Sequence, residues 1–138
     1  MKQNLSRKNY NGRIKLLIVE DEKELLHSIA FILKRQEYKV ATSLNAENAL
    51  DMLGKNKESS FDLIITDIQL PGMSGLEFID TLRKQGPAVP TMVITAYKGE
   101  EILDALAKRD IVHFLIKPFD TSELIAKVKS ALSKEKDR

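Results

Sequence analysis

Residues 62–75 read Asp62-Leu63-Ile64-Ile65-Thr66-Asp67-Ile68-Gln69-Leu70-Pro71-Gly72-Met73-Ser74-Gly75. Leu63–Thr66 is a run of strand length without polar alternation, the pattern of a parallel strand covered by helices on both faces. It delivers Asp67 at its end, and Pro71-Gly72 then turns the chain. From Ser74 onward Leu76, Ile79 and Leu82 recur at helical spacing.

The same alternation extends in both directions. Lys15–Val19, Lys39–Thr42, Thr91–Thr95 and Val112–Ile116 are further strand candidates, rich in Val, Ile, Leu and Thr. Between them lie amphipathic stretches. Leu25, Leu26, Ile29, Ile32 and Leu33 predict a helix over about Glu22 to Gln36. Asn45 is the expected N-cap of a second, carrying Ala46, Ala49, Leu50 and Leu53 and ended by Gly54. Ile102, Ala105 and Leu106 mark a helix before Asp110. Asp120-Thr121-Ser122-Glu123 forms an acidic variant of the capping box ahead of Leu124, Ile125, Val128 and Leu132. Five strand–helix units imply right-handed crossovers and a doubly wound five-stranded parallel α/β domain over residues 14–132.

The chain has 138 residues, the size of one domain, and no cysteine, which excludes disulfide scaffolds, thiol catalysis and zinc–cysteine or iron–sulfur sites. No apolar run has the length of a membrane span and no signal-peptide pattern opens the chain, so a cytoplasmic protein without membrane contact is expected. The net charge of +2 belongs to the ends. Residues 1–13 hold Lys2, Arg7, Lys8 and Arg13 with no acid, whereas residues 14–132 have 15 bases and 18 acids. Residues 1–13 and 133–138 are read as polar tails, the second a terminus or the start of a linker.

In a doubly wound sheet ligands bind at the carboxyl ends of the strands. There the first strand delivers Glu20-Asp21, the third Asp67, the fourth Thr95 and the fifth Lys117-Pro118. Each has a plain alternative. Glu20-Asp21-Glu22 also suits the start of a helix, Asp67 a turn before Pro71-Gly72, and Thr95 and Lys117 carry little weight alone. Their common placement on one sheet edge is what points to chemistry. Three neighbouring carboxylates repel one another unless a cation intervenes. Oxygen ligands without sulfur or clustered histidine favour Mg2+, which prefers phosphate as a co-ligand. A carboxylate can attack phosphorus while the metal, an ammonium and a hydroxyl stabilise the transferring oxygens. His27 and His113 have no second ligand nearby in sequence and are read as surface residues.

Together, Ile18-Val19-Glu20-Asp21-Glu22, the segment 62–75, Val93-Ile94-Thr95-Ala96 and Phe114-Leu115-Ile116-Lys117-Pro118-Phe119 resemble the receiver domain of bacterial two-component response regulators. The resemblance spans roughly Lys15 to Leu132. It implies a flavodoxin-like (βα)5 fold with strand order 2-1-3-4-5. It makes Asp67 the acceptor of a phosphoryl group from a histidine kinase or histidine phosphotransfer protein. Asp21, Asp67 and the Gln69 carbonyl would bind Mg2+, with Glu20 acting through a water. Lys117 would contact phosphoryl oxygens, and its bond to Pro118 would be cis. Thr95 and Phe114 match the family's switch pair, which reshapes the surface of the fourth helix, fifth strand and fifth helix; a plain core aromatic is the other reading of Phe114.

The resemblance also implies a downstream protein or output domain and dimerisation through that surface. No nucleic-acid motif lies within the chain. Departures from the family pattern are Glu20 where Asp is frequent, Phe114 for Tyr, and Asp110 and Glu37 where Gly is usual. Gln69 and Tyr97 occupy positions that tune hydrolysis of the acyl phosphate. Three other functions compete with this one. An aspartate-nucleophile phosphohydrolase usually has a second acid where Gln69 stands. A flavodoxin-like cofactor protein needs a phosphate loop where Glu20-Asp21-Glu22 would repel phosphate. The chain could also be the receiver part of a longer DNA-binding regulator.

Overall fold

Five runs rich in β-branched residues and leucine form five parallel strands, of which the central three, Lys15–Val19, Leu63–Asp67 and Thr91–Thr95, are buried on both faces, whereas the two at the sheet margins are only partly covered. The computed structural model describes residues 13–55, 61–85, 89–96 and 98–133; the expected tails, apart from Arg13 and Ser133, and Tyr97 lie outside the described residues. In chain order the elements are β1 (Lys15–Val19), α1 (Lys23–Arg35), β2 (Lys39–Ser43), α2 (Ala46–Lys55), β3 (Leu63–Asp67), α3 (Gly75–Gln85), β4 (Thr91–Thr95), α4 (Glu100–Lys108), β5 (Phe114–Ile116) and α5 (Thr121–Leu132). The sheet order is β2-β1-β3-β4-β5 and every pairing is parallel.

Strand alternation divides the core into two layers. Leu16 and Ile18 of β1, Leu63 and Ile65 of β3 and Met92 and Ile94 of β4 face α1 and α5, where they meet Leu26, Ile29, Leu33, Leu124 and Val128. Leu17, Val19 and Ile64 point the other way, onto Ala46 and Ala49 of α2 and Phe78 of α3. Val93 joins Ile79, Leu106 and Ile111 beneath α3 and α4. All five residues of β3 are buried, which is why its sequence shows no alternation. Each buried Leu, Ile or Phe side chain contributes about 1.5–3 kcal/mol of transfer free energy.

Two expected boundaries are corrected. Gly54 does not end α2, which runs through it to Lys55. Glycine stops a helix when it turns left-handed, and Gly54 is not among the positive-φ residues. The last strand begins at Phe114, not Val112. Asp110 has φ 57° and the Ile111 N–H still donates to the Leu106 carbonyl, so Val112, 64% exposed, is still leaving α4. Glu37 is the other non-glycine residue with positive φ, at 71°. It turns the chain between α1 and β2.

Helix starts follow side-chain chemistry. Asp120 accepts the Glu123 N–H while Glu123 accepts that of Asp120, closing the capping box of α5. Ser74 and Glu77 exchange the same pair of bonds at the start of α3. The Asn48 N–H donates to Asn45 Oδ1, which caps α2. The strand order reverses about β1, so the crevice outside the carboxyl ends of β1 and β3 is where this topology leaves room for a ligand.

Candidate functional site

The carboxyl ends of β1, β3, β4 and β5 bring Glu20, Asp67, Thr95 and Lys117 to one edge. Asp67 is the last residue of β3 and only 4% exposed; Glu20 and Thr95 are each 1% exposed. Asp67 Oδ1 accepts the Gln69 N–H at 3.0 Å, and Oδ2 accepts from Lys117 Nζ at 2.7 Å. Glu20 Oε2 accepts the Glu22 N–H at 3.0 Å. Glu20 Oε1 lies 3.4 Å from Lys117 Nζ but makes no hydrogen bond among the described residues. Glu22 Oε1 is 3.6 Å from the same ammonium. One lysine therefore faces three carboxylates.

Burial pushes the Glu20 carboxyl up to about 7, with the Asp67 carboxylate adding to the shift and the Glu22 N–H and Lys117 opposing it. Burial would lower the Lys117 pKa, but its hydrogen bond to Asp67 and the charges of Asp67 and Glu20 hold it above the ordinary lysine value. The edge thus has an excess of negative charge that one ammonium does not cancel. Carboxylate oxygens of Glu20, Asp21 and Asp67 lie within 4.8 Å of one another, a separation that a single cation can bridge. The buried Glu20 oxygen without a hydrogen bond, and a donor set made only of oxygen, fit a hard divalent ion. Asp21 and Gln69 are exposed.

Thr95 closes β4, and its carbonyl accepts the Lys117 N–H at 2.9 Å. The Lys117–Pro118 peptide bond is cis. Phe114 pairs in register with Val93, and Thr95 with Ile116, so Thr95 and Phe114 share a sheet face. The Phe114 ring is half-buried against the cluster of Val93, Leu106 and Ile111. His27 is exposed and His113 half-buried, and neither belongs to the acidic cluster.

Gly75, Glu47 and Glu22 support the site in ways that the sequence pattern alone does not assign. A Cβ on Gly75 would stand 2.0 Å from the Asp67 carbonyl oxygen and 2.7 Å from Ile68 Cα. Only glycine lets α3 start this close to the end of β3. The Gly75 N–H donates to the Ile68 carbonyl at 2.8 Å. Glu47 of α2 accepts the Met73 N–H at 2.9 Å and holds the loop after Asp67, where Gly72 takes φ 76°. Glu22 was read only as part of an acidic run. The Gly72 and Gly75 spacing was visible in sequence; the reach of Glu47 across 26 residues was not.

Comparison with known proteins agrees with this geometry. The profile of the response regulator receiver domain matches residues 16–129. The chain is 34% identical over 119 residues to the uncharacterized transcriptional regulatory protein YkoG of Bacillus subtilis, covering 85% of this chain and 50% of that protein. It is 34% identical over 122 residues to the response regulator ArlR of Staphylococcus aureus, covering 87% and 53%. The chain thus spans about half the length of the curated relatives it matches. Among solved structures, the CheY-like receiver domain of Methanospirillum hungatei superposes with a TM-score of 0.80 at 26% identity, over 91% of this chain and 98% of that one. The receiver domain of DrrB solved in its BeF3-activated form gives 0.74 at 26%, over 88% and 98%. Among the described residues no helix is long and apolar enough to cross a membrane. The chain belongs to the response regulator receiver domain family of two-component systems.

Proposed function

We propose that this receiver is a phosphorylation-operated switch in which Asp67 accepts a phosphoryl group from a phosphohistidine on a histidine kinase or phosphotransfer protein. The observation that carries this reading is the Asp67 carboxylate, buried at the end of β3, paired with Lys117 at 2.7 Å and flanked by Glu20 and Asp21. In the transfer an Asp67 carboxylate oxygen bonds to phosphorus as the phosphorus–nitrogen bond breaks. The electron pair leaves on the imidazole nitrogen, and the neutral imidazole remains on the donor.

Glu20, Asp21, Asp67 and the Gln69 carbonyl would hold Mg2+, with Glu20 acting through a water. When bound, this ion would offset charge on the phosphoryl oxygens. Lys117, already hydrogen-bonded to Asp67 Oδ2, would follow the new oxygens as an ion pair. The Gln69 N–H on Oδ1 orients the carboxylate. The reaction is directed at the protein's own side chain, and the output is a change of shape rather than turnover of a substrate.

Phosphorylation adds nearly two negative charges. These would draw the Thr95 hydroxyl toward Asp67, leaving room for the Phe114 ring to turn inward from its half-buried position. In α4 only Leu106 is buried, so the helix beside Phe114 has little apolar anchorage to oppose a shift. The surface of α4, β5 and α5 is then the proposed output face, acting on a downstream protein, an output domain or a second copy of the chain. Relatives about twice as long as the matched region, one carrying the name of a transcriptional regulatory protein, support an output domain as recipient.

Incubation with acetyl phosphate and Mg2+ followed by intact-mass measurement tests the reading. One phosphoryl group should appear on the wild type and none on Asp67→Asn. Equal labelling of that variant would refute it.

A further inference from the structure

The loop that follows Asp67 is pinned at both ends by its own bonds. At its start the Gln69 N–H donates to Asp67 Oδ1 at 3.0 Å. At its end the Gly75 N–H donates to the Ile68 carbonyl at 2.8 Å, and Ser74 and Glu77 exchange the bonds that begin α3. Between these, Pro71 has no N–H to give, and Gly72 turns left-handed at φ 76°. The Met73 N–H points out of the loop and reaches Glu47 Oε2 at 2.9 Å, in the first turn of α2. A Cβ on Gly72 would stand 2.8 Å from the same oxygen and 3.5 Å from Glu47 Cδ. Glycine there serves the turn and also leaves space for the carboxylate.

An acid in the first turn of a helix has a plain use, because it offsets the positive end of the macrodipole. That use needs a charge and no partner in another segment. Here one carboxylate oxygen is committed to a backbone donor 26 residues away, and the residue beside that donor lacks the atom that would displace it. Leu70 of the same loop shares a buried cluster with Ala46 and Ala49 of α2, so the loop that carries the Gln69 carbonyl lies against this helix.

We propose that Glu47 is a positioning residue for the cation site: from α2 it fixes the loop 68–74, so that the Gln69 carbonyl stands ready beside Asp67 before a divalent ion arrives. This role rests on the reading above of the Gln69 carbonyl as a Mg2+ ligand. Glu47 acts through the loop and not on the ion. A ligand already held in place loses less freedom on binding, and removing the outer partner of a ligand commonly weakens a metal by about 10- to 100-fold. Glu47 is exposed and bonds a neighbouring segment of the loop, so its effect belongs at the low end of that range.

Amide NMR on the whole chain tests the role, first in EDTA and then in a Mg2+ titration, with Glu47→Ala and Glu47→Gln beside the wild type. In EDTA the Met73 N–H should exchange with solvent at least about tenfold faster in Glu47→Ala, whereas Glu47→Gln keeps an accepting oxygen and should stay near wild type. The Mg2+ Kd should rise about five- to tenfold in Glu47→Ala and less than about twofold in Glu47→Gln. Labelling by acetyl phosphate should need correspondingly more Mg2+ in Glu47→Ala and reach the wild-type rate at saturation. An equal loss of affinity in both variants would assign the effect to charge at the helix start and overturn the positioning role. A wild-type Kd in Glu47→Ala, or slow labelling that saturating Mg2+ does not restore, would overturn it too. Absence of Mg2+ binding by the wild type would instead overturn the metal reading itself, and the role of Glu47 with it.

Discussion

The two edges of one sheet hold opposite charge under different solvation. At the carboxyl edge Glu20 and Asp67 are nearly inaccessible and share Lys117. At the amino edge, about 13 Å away along β1, Lys34 and Lys39 are exposed. Lysine keeps its ammonium in water while its stem covers apolar surface; a buried carboxylate has no such escape. Crowding of like charge is therefore costly where the strands end in the crevice and tolerable where the chain enters them. Burial, more than charge count, decides where crowded charge calls for a compensating partner.

The largest expected effect comes from removing the compensating cation. Lys117→Met leaves two buried carboxylates without an ammonium and should destabilise the metal-free protein by about 3 kcal/mol, read from urea unfolding in EDTA at neutral pH. An unchanged midpoint would mean that water already solvates this edge. Mg2+ should act in the opposite direction on the wild type. At 100 times its dissociation constant it should raise the unfolding free energy by about 2.7 kcal/mol, and this gain should shrink in Glu20→Gln. A variant that responds like wild type would remove Glu20 from the metal set.

Gly75→Ala tests how closely α3 approaches the acceptor. The added Cβ meets the Asp67 carbonyl, and overpacking of this kind costs about 1–3 kcal/mol. Urea unfolding measures the loss, and slower labelling by acetyl phosphate should accompany it. A variant of wild-type stability would show that the backbone there yields easily.

The smallest effect belongs to Arg109, which pairs in bidentate fashion with Asp80 at 2.8 and 2.9 Å and whose carbonyl accepts from Arg83. The hydrogen bond to Arg109 holds the Asp80 carboxyl below its ordinary value. Its contribution is present above the unfolded carboxyl pKa and fades as the pH falls through the lowered one. Asp80 is 48% exposed, so solvent screening limits the pair to about 0.5 kcal/mol. Asp80→Asn should lower stability by that amount at pH 7 and by less in acid. An equal loss at both pH values would show that charge is not what the pair contributes.

The carboxyl edge was more legible in the sequence than the amino edge, for a physical reason. Strands buried on both faces must be apolar throughout, so Leu16–Val19 and Leu63–Thr66 marked themselves, and the first polar residues beyond them were necessarily at the edge. Glu20, Asp67, Thr95 and Lys117 were found in this way. Asp110 and Glu37, noted as standing where glycine is usual, both take positive φ. The last strand is shorter than its sequence pattern because Val112 has strand chemistry, whereas the turn out of α4 still governs its backbone. Gly54 resembled a stop but keeps a helical neighbour. Lys15 and Lys39 could not be paired from sequence: only the β1–β2 register sets them side by side.

The most direct measurement concerns Asp67 itself. After incubation with phosphoramidate and Mg2+, borohydride reduction converts an aspartyl phosphate to homoserine, which peptide sequencing by mass spectrometry can place. Homoserine should appear at position 67 and nowhere else. Homoserine at position 21, or phosphorylated protein without homoserine at 67, would contradict the assignment of Asp67 as the phosphoryl acceptor.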